Sequence, residues 1–247
     1  VHTVLRREDV VRLGPKRPPL AATAYADSAG SIVHIESSGP LAPPIVPQPH
    51  GATIEVVHST SALVGPPVSH ECRAPWAETA VLAHLALRAA GIAPAERATG
   101  VSAAVALDSV AADPDGGVAG ARIDLDPDGR ITGVVVRVAA GAVLDEIVLR
   151  SYCVGAVHMA LGWVLSEALT VDPDTGAVLD LTIRSFGIVR PGAMPPVRVE
   201  IVPDDRAACN GSDAVFVATA QALCDAISRV VGSCPEVFPA RNTLLPT

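Results

Sequence analysis

Apolar positions alternate with polar ones at Ala22–Tyr25, Ile32–Glu36 and Thr53–Val57, the two-residue period of a half-buried strand. The spacing changes to that of a helix at Pro75–Gly91, where Val81, Leu82 and Leu85 form one face. Pro75 suits the first helical position, Glu78 the first turn, Arg88 the last turn and Gly91 the stop. Further helices are predicted over Tyr152–Ala168, with the stripe Val154, Val157, His158, Leu161 and Leu165, and over Ala214–Val231, ending at Gly232. Turn chemistry predicts hairpins at Asp126–Gly129, between ARIDL and RITGVVVRV, and at Asp172–Gly176, between ALTV and AVLDL. Pro195–Val202 reads as one more strand.

These elements predict an α+β protein of mixed sheets and packed helices. Residues 1–20 form a charged, then Pro-rich arm, 21–118 a first lobe and 119–247 a second, the two lobes forming either separate units or one compact domain. The segment Gly39–Gly51 holds five prolines and lacks the backbone donors of a central strand or helix, so it reads as an extended connector.

Composition narrows the functional classes. Aromatics make up only 3% of the 247 residues, so the core has to be built from Val, Leu, Ile and Ala. The formal charge is −8, Lys16 is the one lysine, and no basic stripe appears, which argues against a nucleic-acid partner. The longest uncharged run, Ser151–Ser166, contains His158 and is short for a bilayer span, and the leading residues carry no apolar signal core. A cytoplasmic protein without a membrane partner is the expectation. Five scattered cysteines without a CxxC pair indicate neither a zinc ribbon nor a disulfide framework. P-loop, GxGxxG and GxSxG motifs are absent.

Two motifs carry a family resemblance: Gly155–Glu167 (GAVHMALGWVLSE) and Met194–Glu200 (MPPVRVE), in that order around the Asp172–Gly176 turn. With IEVVHSTSALV and the Pro75–Gly91 helix upstream, the chain resembles the C-terminal molybdopterin-binding domain of the xanthine dehydrogenase/aldehyde oxidase family over about Pro19–Thr243. The resemblance implies that domain's fold, in shortened and stand-alone form.

It also implies a damaged cofactor site. The Pro-rich Gly39–Gly51 stands where the family has a GQG-type loop and helix, and Ser69-His70-Glu71-Cys72 occupies the family's Gly-Ala-Ser-Arg run. Arg150-Ser151-Tyr152 replaces a Glu-Gly-Gln whose amide meets the pterin edge. The glycine-rich loop bearing the family's glutamate base corresponds to Ala207–Ala214, with Asp213, one methylene shorter, at the glutamate's place. The expectation is therefore that molybdopterin is lost and no metal is bound.

The acid–base candidates are Asp213, His158, Tyr152 and Glu71, and the candidates for lining a substrate slot are His70, Arg73, Trp76 and Asn210. Each has a structural alternative: Asp213 or Ser212 as helix N-cap, His158 as a hydrogen-bonded core residue, and Tyr152 and Trp76 as packing. His70-Glu71-Cys72 lacks the spacing of a metal site. Two functions from different classes are compatible with these residues. One is a cofactor-independent cyclase or isomerase acting on a hydrophobic small molecule, in bacterial specialised metabolism. The other is an auxiliary subunit completing a molybdenum hydroxylase with a partner chain. A homodimer is compatible with the first.

Overall fold

The computed structural model describes residues 3–7, 21–37, 50–58, 74–168, 170, 172, 174, 175, 177, 179 and 182–244. Five strands form a mixed sheet in the order β4-β3-β2-β1-β9: β1 (Thr3–Arg7), β2 (Ala21–Ala26), β3 (Ile32–Ser37), β4 (Thr53–His58) and β9 (Val237–Phe238). Within it β3 and β4 run parallel, as do β1 and β9. A second sheet has the order β5-β6-β7-β8, from β5 (Ser109–Ala112), β6 (Val118–Leu125), β7 (Ile131–Ala139) and β8 (Val197–Ile201); β7 and β8 are its parallel pair. The helices are α1 (Ala74–Ala89), α3 (Glu146–Leu165) and α5 (Ser212–Val231), with the short α2 (Val101–Val105) and α4 (Ile183–Phe186). The α+β class with mixed sheets is the one that the periodicity predicts.

A single core cluster takes side chains from both sheets and from α1, α3 and α5. Alternation sets the inner face of the first sheet: Ala22, Ala24, Val33 and Ile35 are buried while Tyr25 and Val57 are exposed. Almost every residue of α1 from Trp76 to Leu87 is buried, so this helix runs through the interior. Its apolar residues therefore need no narrow stripe. α5 packs between the second sheet and α3, and contains buried Gln221 and Asp225, which face α1, Gln221 donating to Ala80 C=O and Asp225 lying 3.0 Å from His84 Nε2.

Several boundaries differ from expectation for identifiable reasons. The leading arm contributes a strand: β1 lies inside the first sheet, paired with β2 and β9. α3 begins six residues before Tyr152, because the Asp145 carboxylate accepts the N–H groups of Ile147 and Val148 at 2.8 and 3.1 Å and caps the helix there. Its buried stripe is Cys153, Ala156, Val157, Ala160, Leu161 and Val164; Val154 faces outward. α5 begins at Ser212, so neither Ser212 nor Asp213 is its N-cap; Gly211 holds that position without a side-chain bond. Glu78 lies beyond the first turn of α1. The hairpin at Asp126–Gly129 forms as predicted, with the Asp126 carboxylate accepting from Asp128 and Arg130 N–H and Gly129 at positive φ. At Asp172 the turn also forms, without a regular strand on either flank among the described residues.

Candidate functional site

The parallel pair β7–β8 leads into two loops that end at helix N-termini, the kind of crevice where ligands bind in α/β sheets. From β7 the chain turns through Ala140–Leu144 into α3; from β8 it runs through Val202–Gly211 into α5. Between the loops and the first turns of α3 lies a cleft of about 430 Å³. Ala140, Val143, Leu144, Val148 and Leu149 make its walls largely apolar, and Tyr152, Cys209, Asn210 and Ser212 supply a polar edge. That ratio of apolar wall to a few polar groups is typical of small-molecule sites.

The frame of the cleft is built by main-chain contacts and by the side chains of Asp204 and Arg206. Cys209 N–H donates to Ala140 C=O (3.0 Å), Ala142 N–H to Arg206 C=O (2.9 Å) and Val202 N–H to Val138 C=O (2.8 Å). Gly141 N–H donates to the Asp204 carboxylate at 2.8 Å. Arg206 grips the same carboxylate with Nε and Nη2 and reaches Gly116 C=O with Nη1 at 2.8 Å. The Arg206 guanidinium holds the Asp204 carboxyl down at about 2. Gly141 adopts φ +67°, and a Cβ there would lie 2.0 Å from Ala207 O, so only glycine allows the two loops to meet.

Behind the Asn210–Gly211 corner sits Asp113, fully buried, at the turn between β5 and β6. One carboxylate oxygen accepts N–H groups from Asp115 (2.8 Å) and Gly117 (3.0 Å). Desolvation raises the Asp113 pKa to about 6, against the lowering effect of those bonds and with a smaller push from the charge of Asp213. Sign follows directly: a carboxyl raised on folding favours the native state most below about pH 4. That contribution is lost as pH rises through about 6. Asp113→Asn keeps the acceptor oxygen. In urea titrations from pH 4 to 7.5 it should remove a pH-dependent term on the order of 2 kcal/mol; an unchanged pH profile would overturn the assignment.

The sequence candidates separate in space. Tyr152 and Asn210 line the cleft. Asn210 also steadies the start of α5, its Oδ1 accepting from the Ser212 N–H (3.0 Å) and hydroxyl (2.8 Å). Asp213 lies in the first turn of α5, half-buried and facing Asp113 rather than the cleft. His158 Nε2 donates to Val189 C=O at 2.7 Å, which fixes the tautomer and ties α3 to the irregular segment before β8. Trp76 is buried in the first turn of α1, within the core. His70, Glu71 and Arg73 lie outside the described residues, as does most of Gly39–Gly51.

Periodicity did not mark Asp113, Asp145, Gly141 or the Asp204–Arg206 clamp. The Asp113-Pro-Asp-Gly-Gly run carries the same turn signal as Asp126–Gly129, and an Asp ahead of an apolar stretch is an N-cap signal. Those signals could have located two of the four. Cys209 faces the cleft, but desolvation holds its thiol above the ordinary cysteine value, so it is not poised as a thiolate nucleophile. Among the described residues no group of His, Cys, Asp and Glu is arranged to hold a metal.

No family model and no curated protein matches the sequence. Solved structures do. Quinoline 2-oxidoreductase from Pseudomonas putida is 15% identical with a TM-score of 0.43, over 97% of this chain and 40% of that one. CO dehydrogenase from Oligotropha carboxidovorans gives 12% and 0.41, over 96% and 38%, and the aldehyde oxidoreductase from Desulfovibrio desulfuricans 14% and 0.42, over 98% and 31%. Over nearly its whole length, the chain is thus similar to a stretch spanning two-fifths or less of each of these oxidoreductases.

Proposed function

We propose that the chain binds a hydrophobic small molecule in the cleft between α3 and the 207–212 loop and converts it without a pterin cofactor, as a cyclase or isomerase. The observation that carries this reading is the cleft's lining: an apolar wall with one narrow polar edge, set at two helix N-termini. A pterin cofactor is a poor fit there. It brings a phosphate and a hydrogen-bonding ring edge, whereas the described lining contains neither Arg nor Lys and presents the Asp145 carboxylate. The replacement of the family's amide by Tyr152 points the same way.

An isomerisation or cyclisation needs no oxidant. Holding a flexible apolar substrate in one reactive conformation supplies much of the rate. A single proton, lent and recovered, supplies the rest. Tyr152 is the acid–base candidate that stands at the cleft, and its phenol fits that role. A non-catalytic subunit is the other reading, favoured by the apolar residues that α3 leaves exposed.

The test uses the purified chain with the neutral apolar fluorophore Nile red as probe, alongside metal and pterin analysis. Saturable binding at one site per chain is expected. Ala208→Trp, at an exposed lining position, should weaken it at least about tenfold by filling the cleft. Stoichiometric molybdenum or pterin, or unchanged probe affinity in the filled variant, would overturn the proposal.

A further inference from the structure

Buried polar oxygens in a folded protein nearly always have a partner, so one without a partner calls for a reason. Asp113 is fully buried in the turn between β5 and β6. Its Oδ1 accepts the Asp115 and Gly117 N–H groups, whereas its Oδ2 has no hydrogen-bond partner among the described residues. The Ala214 N–H, a minor influence on this carboxyl, falls short of hydrogen-bond geometry to Oδ2. What Oδ2 does meet is another acceptor. A Cβ at Gly117 would lie 2.4 Å from Asp113 Oδ2 and 2.2 Å from Asn210 O, so the two oxygens face the same small space over Gly117. Two acceptors placed together away from water repel unless a proton lies between them.

We infer that Asp113 is a proton-operated latch on the polar edge of the cleft. With its proton, Oδ2 donates to Asn210 C=O and seats the Asn210–Ser212 corner on Gly117; without it, the two oxygens repel and the corner leaves its seat. The corner has no slack on its other side, where a Cβ at Gly211 would come within 2.7 Å of Val138 Cγ2 and 3.2 Å of Ala140 Cβ. Its displacement therefore reaches Asn210 and Ser212, which line the cleft, and the bonds that Asn210 Oδ1 accepts from Ser212. The effect on binding rests on the cleft being a ligand site; the latch itself does not.

The surroundings set the direction of the switch. Facing Asp113 are Asp213 from the first turn of α5, Asp115 from its own turn, and Arg206 and Cys209 from the loop after β8. The charge of Asp213 opposes a second negative charge beside it. Arg206, the cation of the group, is gripped by both oxygens of Asp204. Burial therefore decides, and the Asp113 carboxyl keeps its proton up to about pH 6, where an ordinary aspartate loses it at about 4. The latch is closed below about pH 6 and opens as pH rises through that value.

Titrating the purified chain with Nile red between about pH 5 and about pH 7.5 tests the latch with a probe that carries no charge of its own. The wild-type dissociation constant should rise at least about fivefold over this range, with its midpoint near pH 6. Asp113→Asn is the informative variant. Its amide has no proton to lose, keeps an acceptor for the two turn N–H groups and presents a permanent donor to Asn210 C=O. It should hold the wild type's low-pH affinity throughout, and so bind more tightly than the wild type at pH 7.5. Weaker binding than wild type at both ends, or a variant that titrates as the wild type does, would overturn the latch. Amide chemical shifts of Gly211 and Ser212 read the corner without a ligand. They should move with a midpoint near pH 6 in the wild type and stay fixed in Asp113→Asn; shifts fixed in both proteins would overturn the latch. Tight probe binding indifferent to pH also overturns it and leaves the functional reading standing. Absence of probe binding at every pH removes the functional reading instead, and the shifts alone then decide the latch.

Discussion

Replacing Asp225 by alanine should destabilise the protein by about 3 kcal/mol, the lower part of the range for breaking one side of a buried ion pair. Asp225 on α5 is buried, and one oxygen lies 3.0 Å from His84 Nε2 and 3.2 Å from Arg88 Nε. His84 has no access to solvent, so its ring loses its partner in a setting where water cannot replace it. Arg88 is about one-third exposed and can turn outward, which keeps the loss from reaching the upper end. The contact joins the interior helix α1 to α5, and so ties the five-stranded sheet to the helix whose first turn borders the cleft. Urea unfolding of the wild type, Asp225→Ala, His84→Ala and the double variant forms a cycle; a coupling below about 0.5 kcal/mol would mean that the pair acts independently.

Gly141→Ala should cost about 3–4 kcal/mol and remove the cleft as a binding site even where the protein still folds. Two effects combine. The left-handed backbone at φ +67° costs a residue with a Cβ about 1–2 kcal/mol. The remainder comes from the 2.0 Å approach to Ala207 O, which forces the 206–209 backbone away from β7 and strains the bonds from Ala142 and Cys209. Gly91→Ala isolates the first effect, because φ is +79° there with open space around the would-be Cβ. Probe binding and denaturant midpoint should fall together in Gly141→Ala, whereas Gly91→Ala should lose only about 1–2 kcal/mol with binding intact. Equal losses in the two variants would show that the close approach carries no weight.

What was legible in the sequence followed from local rules. The strands at Ile32 and Thr53, the helix of Val81 and Leu85, and the turn at Asp126 each rest on a period or a turn residue a few positions away. β1 was not legible because its place depends on partners far along the chain: Arg7 pairs with Phe238. The buried stripe of α3 is rotated from the predicted one because an apolar residue such as Val154 looks the same in sequence whether it faces a core or the outside. The site was half legible. Tyr152 and Asn210 come together in the cleft, while Asp113 approaches the α5 start only through sheet pairing that no local pattern encodes.

The clamp around Asp204 and Arg206 bears on how this site could change over generations. Among the described residues, the bonds that fix the 202–209 backbone are made by main-chain groups or by those two side chains. Val143, Val148, Tyr152 and Ala208 contribute none of them. Substitutions at these four positions therefore alter the shape of the cleft without removing a bond of the scaffold. The shape of such a cleft can drift by single mutations while stability stays nearly constant, an arrangement that favours divergence of the lining over conservation of it.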